Sequence, residues 1–418
     1  MATFEEATKR IDERTDDLID LVREAVAIDT SVPPGRNYPE VIDLLEPRYK
    51  ALGFETQRVT VPEQLLKIIP WPLQGPRQNL VATKRWPGNT EWCTTYAHMD
   101  VVPIEEAWKH DPFACEIVNG LMYGRGVADM KGSMVALILA LEVMQELGLK
   151  SHYDMVSTLC TDEEVGIYPG IRYLAEEGFV KGHILTLESA GQDPLDPRGA
   201  SGAIDFIITV HGKSAHSGLN YKGVNAIEQA VIILVELMKL KEAVEKQQSK
   251  FPSADPQAPF KVVNPKFNID MINAGVKSNI VPLVCTLVVN RRTIPEENEE
   301  DVIAQVQDAV ERGRKRSKAL SVDVQHTINY PPVVYGHDNK YMDKRRAAIR
   351  AVKGYTELTP SFSGGSNDMS FIQRHLKTDL FVPFGPSRMT SNAHGADENV
   401  QVQDLVDTVK QLVHYLAF

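Results

Sequence analysis

Short apolar runs that read as strands alternate with runs that read as helices over roughly the first 190 residues. The strand-like runs are NLVATKRW, TTYAHMD, SHYDMVSTL and HILTLES, and the helix-like runs among them are MVALILALEVMQELG and IRYLAEEGF. Such alternation is typical of a parallel or mostly parallel sheet flanked by helices. In these sheets, sites gather at the carboxyl ends of the strands. The pattern therefore predicts an α/β fold with its chemistry at the strand ends.

The pattern changes near residue 200. A strand-like segment, GAIDFIITVH, is followed by a long helix, NAIEQAVIILVELMKLKEAVEK, and then by FNIDMINAG, VCTLVVNRRTI, a helix over about residues 297–318, and VDVQHTINY. This order, β-α-β-β-α-β, is that of a ferredoxin-like α+β domain. We therefore predict a catalytic domain of residues 1–198 and 332–418, interrupted by a smaller α+β domain of residues 199–331.

Composition limits the kinds of partner and location that the chain can have. The chain has 418 residues, with 45 Lys and Arg against 56 Asp and Glu. It shows no basic stripe with interleaved aromatics, so we expect a small-molecule substrate and no nucleic acid. Its longest purely apolar stretch, Met134 to Leu141, is far shorter than the ~20 residues of a membrane span. Its N-terminus also lacks the pattern of a secretory signal. We therefore expect no membrane contact. Scattered cysteines suggest reduced packing thiols and a cytoplasmic location: Cys93, Cys115, Cys160 and Cys285.

Polar residues at one predicted strand end and in one loop could carry chemistry. In TTYAHMDVVP, His98 and Asp100 are two apart, so their side chains share a side of the strand, and the carboxylate could fix the tautomer of a metal-binding imidazole. Asp129, in a glycine-flanked loop before an apolar helix, could bridge two cations with its two oxygens. Alone, the first pair also fits a solvent-facing strand end, and Asp129 also fits a helix N-cap.

The run CTDEEVG places Glu163 and Glu164 side by side after a buried strand. In a turn, both carboxylates can converge on one cavity, where one binds a metal and the other holds a proton; without a cation they would repel, and a solvated turn would be the better interpretation. LTLESAG adds Glu188 at another strand end, and SNAHGADENV adds His394 in a loop. Two imidazoles and three carboxylates together predict two divalent metal ions of the Zn²⁺, Mn²⁺ or Co²⁺ kind: the ligands are His98, Asp129, Glu164, Glu188 and His394.

The motifs HMD, GRGVADMKG, TDEEVG, ESA, GKSAHSG and AHGADENV, in this order, resemble the M20 family of metallopeptidases and amidohydrolases. The resemblance implies that Asp129 bridges the metals, that His98 and Glu188 complete one metal site, and that Glu164 and His394 complete the other. It also implies that Glu163 is the general base on a metal-bridging water and that Asp100 is the carboxylate behind His98.

The same resemblance assigns roles to the inserted domain. It implies a lid and dimerisation domain, hence a homodimer in which His216 of HGKSAHSG reaches the active site of the other subunit and stabilises the oxyanion. Asn279 and Arg292 resemble substrate contacts, the latter suited to a carboxylate; by position alone, all three could be ordinary surface or loop residues.

The departures from the family pattern bear on the substrate. Ser370, in SFSGGSNDMSF, stands where relatives often carry an arginine, and Asn290 stands where an aspartate is commoner before Arg292. Arg388 could supply a replacement charge, or it could be a solvent-facing loop residue.

The resemblance predicts a metal-dependent hydrolase that cleaves the amide bond of a small N-acyl amino acid or related carboxylate. The alternative is hydrolytic deamination of an aromatic amine such as a nitroanthranilate. A non-catalytic binding protein is disfavoured, since every ligand position and Glu163 are present.

Overall fold

A computed structural model describes residues 2–189, 191–253, 255 and 257–418. The chain divides into two compact units. The first unit comprises the residues up to Pro197 with Tyr335–Pro360 and Phe371–Phe418, and the second comprises Arg198–Val334 and Ser361–Ser370. No helix among the described residues has both the length and the apolar character needed to cross a membrane.

The helices and strands are bounded as follows. The helices are α1 (Phe4–Glu13), α2 (Thr15–Ala27), α3 (Tyr38–Ala51), α4 (Glu63–Leu66), α5 (Lys131–Glu146), α6 (Gly170–Glu176), α7 (Ala226–Val244), α8 (Glu299–Arg316), α9 (Lys340–Lys353), α10 (Met369–Leu376) and α11 (Val402–Ala417), with a 3₁₀ turn at Ser217–Lys222. The strands are β1 (Glu55–Thr60), β2 (Gln78–Lys84), β3 (Trp92–His98), β4 (Glu116–Val118), β5 (Leu121–Tyr123), β6 (Asp154–Cys160), β7 (His183–Thr186), β8 (Leu195–Ala200), β9 (Gly202–His211), β10 (Lys266–Ala274), β11 (Val284–Thr293), β12 (Ser321–Tyr330), β13 (Val333–Val334), β14 (Thr359–Ser363), β15 (Phe381–Pro383) and β16 (Asn399–Gln401).

The main sheet of the first unit has the strand order β1-β2-β6-β3-β7-β15. Strands β6, β3, β7 and β15 run parallel, whereas β1 and β2 form the antiparallel part. This confirms the predicted mostly parallel sheet. The carboxyl ends of β6, β3 and β7 lie side by side, and each is followed by one of the predicted site segments.

Helix α5 is deeply buried. Its residues from Lys131 to Leu141 are all buried, which is what a helix that is apolar all round requires. The helix begins two residues after Asp129, so a rigid core element anchors the loop that carries this carboxylate. The four cysteines are buried and free, as predicted for packing thiols.

The second unit contains the predicted β-α-β-β-α-β order, in strands β9, β10, β11 and β12 with helices α7 and α8. The four strands form an antiparallel sheet in the order β10-β11-β9-β12. Alternate residues of β9 are buried against the two helices, which gives this unit a core of its own: Ile204, Phe206, Ile208 and Val210.

The predicted boundaries near residues 198 and 332 differ from the observed ones by one and three residues, and the segment Ser361–Ser370 belongs to the second unit rather than the first. Local contacts explain the difference. The backbone N–H of Phe362 donates to the carbonyl of Pro252 at 2.9 Å, and its ring stacks on Phe251 with centroids 4.8 Å apart. Ser201 donates its backbone N–H to the carbonyl of Ser363 at 3.0 Å.

Candidate metal centre

His98 is the last residue of β3 and is fully buried. Its Nδ1 lies 3.0 Å from the backbone oxygen of Asp100 and 3.8 Å from the carboxylate of the same residue. The tautomer is therefore fixed mainly by the backbone carbonyl, not by the carboxylate as the sequence suggested. The Asp100 carboxylate instead accepts a hydrogen bond from the backbone N–H of Glu164 at 2.8 Å.

Asp129 lies between two imidazoles. Its Oδ1 is 3.1 Å from Nε2 of His98, and its Oδ2 is 3.2 Å from Nε2 of His394. Each oxygen of one carboxylate thus faces a different ring nitrogen. This is the arrangement expected of a carboxylate that bridges two cations.

The turn after β6 presents the two neighbouring glutamates. Oε2 of Glu164 lies 3.1 Å from Nε2 of His394. Glu163 is also buried, and one of its carboxylate oxygens lies within 4.8 Å of one from Glu188. The structure therefore brings Glu164 to His394, and it brings Glu188 to Glu163 rather than into the tight group of the other ligand atoms.

A buried network holds this turn. Asp162 adopts a left-handed backbone conformation with φ of 63°, which turns the chain sharply at the strand end. Its carboxylate accepts a hydrogen bond from the Tyr38 hydroxyl at 3.0 Å and forms an ion pair with Arg77 at 3.2 Å. All three side chains are buried, so the positions of Glu163 and Glu164 are set by a rigid support.

The residues present fit a divalent cation. Ligand atoms of His98, Asp129 and Glu164 all lie within 4.8 Å of one another. Oε1 of Glu164 is buried and has no hydrogen-bond partner among the described residues, an arrangement that costs free energy unless a cation satisfies it. Mixed imidazole and carboxylate donors suit Zn²⁺, Mn²⁺ or Co²⁺.

The electrostatics indicate a site that requires positive charge. Burial alone would lower the pKa of His98, but the hydrogen bond with Asp129 and the nearby carboxylate charges raise it well above its usual range. Hydrogen bonds with Asp129 and Glu164 raise the pKa of His394 to about 11. Burial and the charge of Asp129 raise the pKa of Glu164. When no cation is bound, the imidazoles therefore hold protons that supply the charge in its place.

A cavity of about 260 Å³ in the first unit lies against the half-exposed ring of His394. It is large enough for a small organic group, and it lies beside His394, one of the predicted metal ligands. The other lining residues are Val102, Pro103, Glu105, Glu106, Trp108, Arg125 and Ala396.

The second unit holds His216, Asn279, Arg292 and Ser370. His216 and Asn279 are exposed, and Ser370 is buried. Arg292 is half-buried, where its Nε donates to Oδ1 of Asn290 at 3.1 Å and its Nη1 to Oγ of Ser366 at 3.1 Å. These residues thus belong to a different unit from the cluster around Asp129.

Arg388 belongs to the first unit and is already paired. Its guanidinium donates to both carboxylate oxygens of Asp404, which is buried, and it lies 3.6 Å from Asp193. This pairing gives Arg388 a structural role that its loop position did not suggest.

Sequence reasoning missed Arg125 and Glu398, which are both buried beside the cluster. Nη1 of Arg125 donates a hydrogen bond to Oε2 of Glu398 at 2.6 Å. The only signal in the sequence was their place inside the motifs GRGVADMKG and AHGADENV, next to residues singled out as ligands. Nothing in the spacing shows that residues 273 positions apart would meet.

Comparison with known proteins places the chain in a family. The model of Peptidase family M20/M25/M40 matches residues 94–417. The chain belongs to this family. It contains a cluster of residues able to hold a metal ion. This M20 protein is a metal-binding hydrolase of amide C–N bonds.

Two curated relatives and one solved structure show the range of similarity. The chain is 27% identical over 333 residues to succinyl-diaminopimelate desuccinylase of Colwellia psychrerythraea, covering 77% of this chain and 78% of that protein. It is 22% identical over 437 residues to N-formyl-4-amino-5-aminomethyl-2-methylpyrimidine deformylase of Bacillus subtilis, covering 98% and 96%. Human carnosine dipeptidase 1 has the same fold, with a TM-score of 0.75, 18% identity, and coverage of 99% and 98%.

Proposed function

We propose that this M20 hydrolase uses two divalent metal ions to cleave the amide bond of a small N-acylated amino compound that carries a carboxylate. The observation that carries the proposal is the position of Asp129, with one oxygen 3.1 Å from Nε2 of His98 and the other 3.2 Å from Nε2 of His394. The names of both curated relatives describe removal of an acyl group from nitrogen, which supports amide cleavage over deamination of an aromatic amine.

In this proposal, Asp129 would be a ligand of both metal ions. His98 and Glu188 would hold one ion with it, and Glu164 and His394 would hold the other. When bound, the ions would supply Lewis-acid activation of a water molecule and of the substrate carbonyl.

Glu163 is the proposed general base. It is buried in the turn beside Glu164, where its carboxylate can accept a proton from a water molecule held at the metal site. Glu163 takes a proton from the attacking water and later delivers it to the leaving nitrogen, so that the C–N bond breaks to give a carboxylate and an amine.

His216 is the proposed oxyanion donor. Its Nδ1 accepts a hydrogen bond from the backbone N–H of Gly218 at 3.1 Å. In the neutral ring, this leaves the proton on Nε2, which is then a donor of the kind that stabilises an oxyanion. We propose that it acts in the site of a second subunit.

Exposed apolar residues of the second unit support the proposed homodimer. Val231, Val235 and Met238 lie on one face of α7, with 52%, 45% and 45% of each residue exposed. Strand β10 is an edge of its sheet and exposes Met271 and Ile272. An apolar helix face beside a sheet edge is typical of a surface that a second protein copy covers.

Arg292 is the proposed anchor for the substrate carboxylate. Asp205 accepts a hydrogen bond from Nδ2 of Asn290 at 2.7 Å, which turns Oδ1 of Asn290 toward Nε of Arg292. The negative charge that relatives often place at position 290 is thus supplied by Asp205 on the neighbouring strand. This relay holds the guanidinium in a fixed orientation, as bidentate carboxylate recognition requires.

A turnover screen tests the proposed function. The protein is loaded with Zn²⁺, Mn²⁺ or Co²⁺ and incubated with N-acyl amino acids, dipeptides and aminobenzoates, and the release of amine and of ammonia is measured separately. The proposal expects free amine from an N-acyl compound. Ammonia from an aminobenzoate, with every amide intact, would instead identify the deaminase alternative.

A further inference from the structure

Glu398 joins the loop that carries Asp129. It is fully buried, and its Oε1 accepts hydrogen bonds from the backbone N–H groups of Gly126, Ala128 and Asp129 at 3.0, 2.9 and 3.1 Å. Its Oε2 accepts from Nη1 of Arg125 at 2.6 Å. One carboxylate therefore satisfies three backbone donors and a guanidinium, and it fixes the path of the loop up to the residue that faces both imidazoles.

Arg125 extends this connection to the loop that carries His394. Its Nη2 lies 3.2 Å from the backbone oxygen of His394 and 3.3 Å from that of Gly395. The guanidinium also lies over the ring of Trp108, 5.1 Å from the centroid, and the side chain is only 2% exposed. A planar fork is needed to reach Glu398 and two carbonyls at once, and arginine provides one.

The backbone on both sides of this pair adopts conformations that need support. His394 has a φ of 66°, in the left-handed region that side chains with a Cβ seldom adopt. Gly126 has a φ of 91°, and a Cβ there would lie 2.8 Å from Cγ1 of Val101. Such conformations persist where surrounding contacts determine them, and the Arg125–Glu398 pair makes those contacts.

We propose that Arg125 and Glu398 are positioning residues that set the distance between His394 and Asp129 and thereby create the metal site that these two ligands share. Neither residue touches the ligand atoms. The pair acts through the backbone of the two loops, which it joins across 273 positions of sequence. The inference rests on the proposed metal centre, and it adds the two residues that hold His394 and Asp129 in place.

The test measures metal binding directly, without turnover. Purified protein is stripped of metal and titrated with Co²⁺, and the number of bound ions and the visible absorption of Co²⁺ are recorded for wild type, Glu398→Gln and Arg125→Met. Glutamine keeps the volume of Glu398, but it cannot accept from both the loop amides and Arg125. We expect the weaker of the two metal sites to lose about 10–100-fold in affinity in both variants, which is typical when residues that orient ligands are removed, and the Co²⁺ spectrum to change.

The matched control is Glu297→Gln. Glu297 pairs with the buried Arg291 in the second unit, so its replacement also breaks a buried Arg–Glu pair. This control should lower the melting temperature but bind Co²⁺ like the wild type. If Glu398→Gln proves unstable, Arg125→Lys supplies the same test, because lysine keeps the charge but cannot reach Glu398 and both carbonyls together.

Two results would overturn the inference. One is wild-type affinity and an unchanged Co²⁺ spectrum at both sites in Arg125→Met, Arg125→Lys and Glu398→Gln. The other is an equal loss of metal in Glu297→Gln, which would show that general destabilisation is the cause. Failure of the proposed function would look different, since the wild-type protein itself would then bind no Co²⁺, or would bind it and release no amine from any N-acyl compound.

Discussion

The backbone N–H of Glu164 donates a hydrogen bond to Oδ2 of Asp100 at 2.8 Å. Asp100 follows β3 and Glu164 follows β6, so this bond ties together the segments at the ends of two adjacent parallel strands. Asp100 is fully buried. Its carboxylate therefore acts on the position of the two glutamates, while its backbone carbonyl orients His98.

Replacing Asp100 should disturb the turn more than the imidazole. Asp100→Ala removes the acceptor of the Glu164 N–H but leaves the carbonyl that faces His98, so we expect kcat to fall about 10–100-fold. Asp100→Asn retains an oxygen that can accept this hydrogen bond, so its loss should be smaller. Steady-state kinetics and metal analysis of both variants check this; equal, unimpaired kcat values would show that the bond is unimportant.

Metal affinity should increase with pH. Hydrogen bonds with Asp129 and Glu164 raise the pKa of His394 to about 11 in the absence of a cation, so a proton must leave before the metal binds. Below that pKa, each unit of pH should strengthen binding by about tenfold per proton displaced. Calorimetric titrations between pH 6 and 8, in buffers of different ionisation enthalpy, measure both affinity and proton release. An affinity that does not change with pH would contradict the assignment of His394 as a ligand.

Arg292→Met should weaken substrates that carry a carboxylate. A charge-assisted hydrogen bond contributes about 1.5–3 kcal/mol, so we expect kcat/KM to fall about 10–100-fold for such substrates and to change little for their neutral amides. Arg316→Met provides a control, because Arg316 belongs to the same unit and its side chain is exposed, although it pairs with the buried Glu236. If the carboxylate and the amide lost activity equally, Arg292 would not recognise the carboxylate.

Mixing two inactive variants should restore activity if His216 acts across a dimer. His216→Ala lacks the oxyanion donor and Glu163→Gln lacks the base. In a mixed dimer, one of the two sites would contain both native residues, so random exchange of subunits should recover about a quarter of wild-type activity. Turnover is measured before and after partial unfolding and refolding of the mixture. Failure to recover activity, although mixed dimers are detected by mass, would place His216 outside the partner's site.

The sequence predicted the sheet and the closeness of His98 to Glu164 because both depend on local patterns. Apolar runs of strand length, such as SHYDMVSTL, must be buried, and parallel strands bring their carboxyl ends to one edge. Polar residues at the end of such a run or in the turn after it, such as His98 and Glu164, are therefore brought close together whatever the details of packing.

The unpredicted features depend on contacts between distant segments. Glu398 meets the loop of Asp129, and Arg388 meets Asp404 on α11, through geometry that no local period reveals. The orientation of His98 by a carbonyl was also not predictable, because every residue has a carbonyl and the sequence shows only the carboxylate of Asp100. Ser361–Ser370 belongs to the second unit through backbone hydrogen bonds and the stacking of Phe362 on Phe251, which are contacts between segments far apart in the sequence.

The most direct test of the proposed mechanism measures metal content and amine release in the same samples of wild type and Glu163→Gln. Glutamine retains the shape of the side chain but cannot accept the proton of the attacking water. We predict wild-type metal content and a loss of turnover of about 10²–10⁴-fold, the range of general acid–base catalysis. Full turnover with the metal in place would contradict Glu163 as the base and, with it, the mechanism.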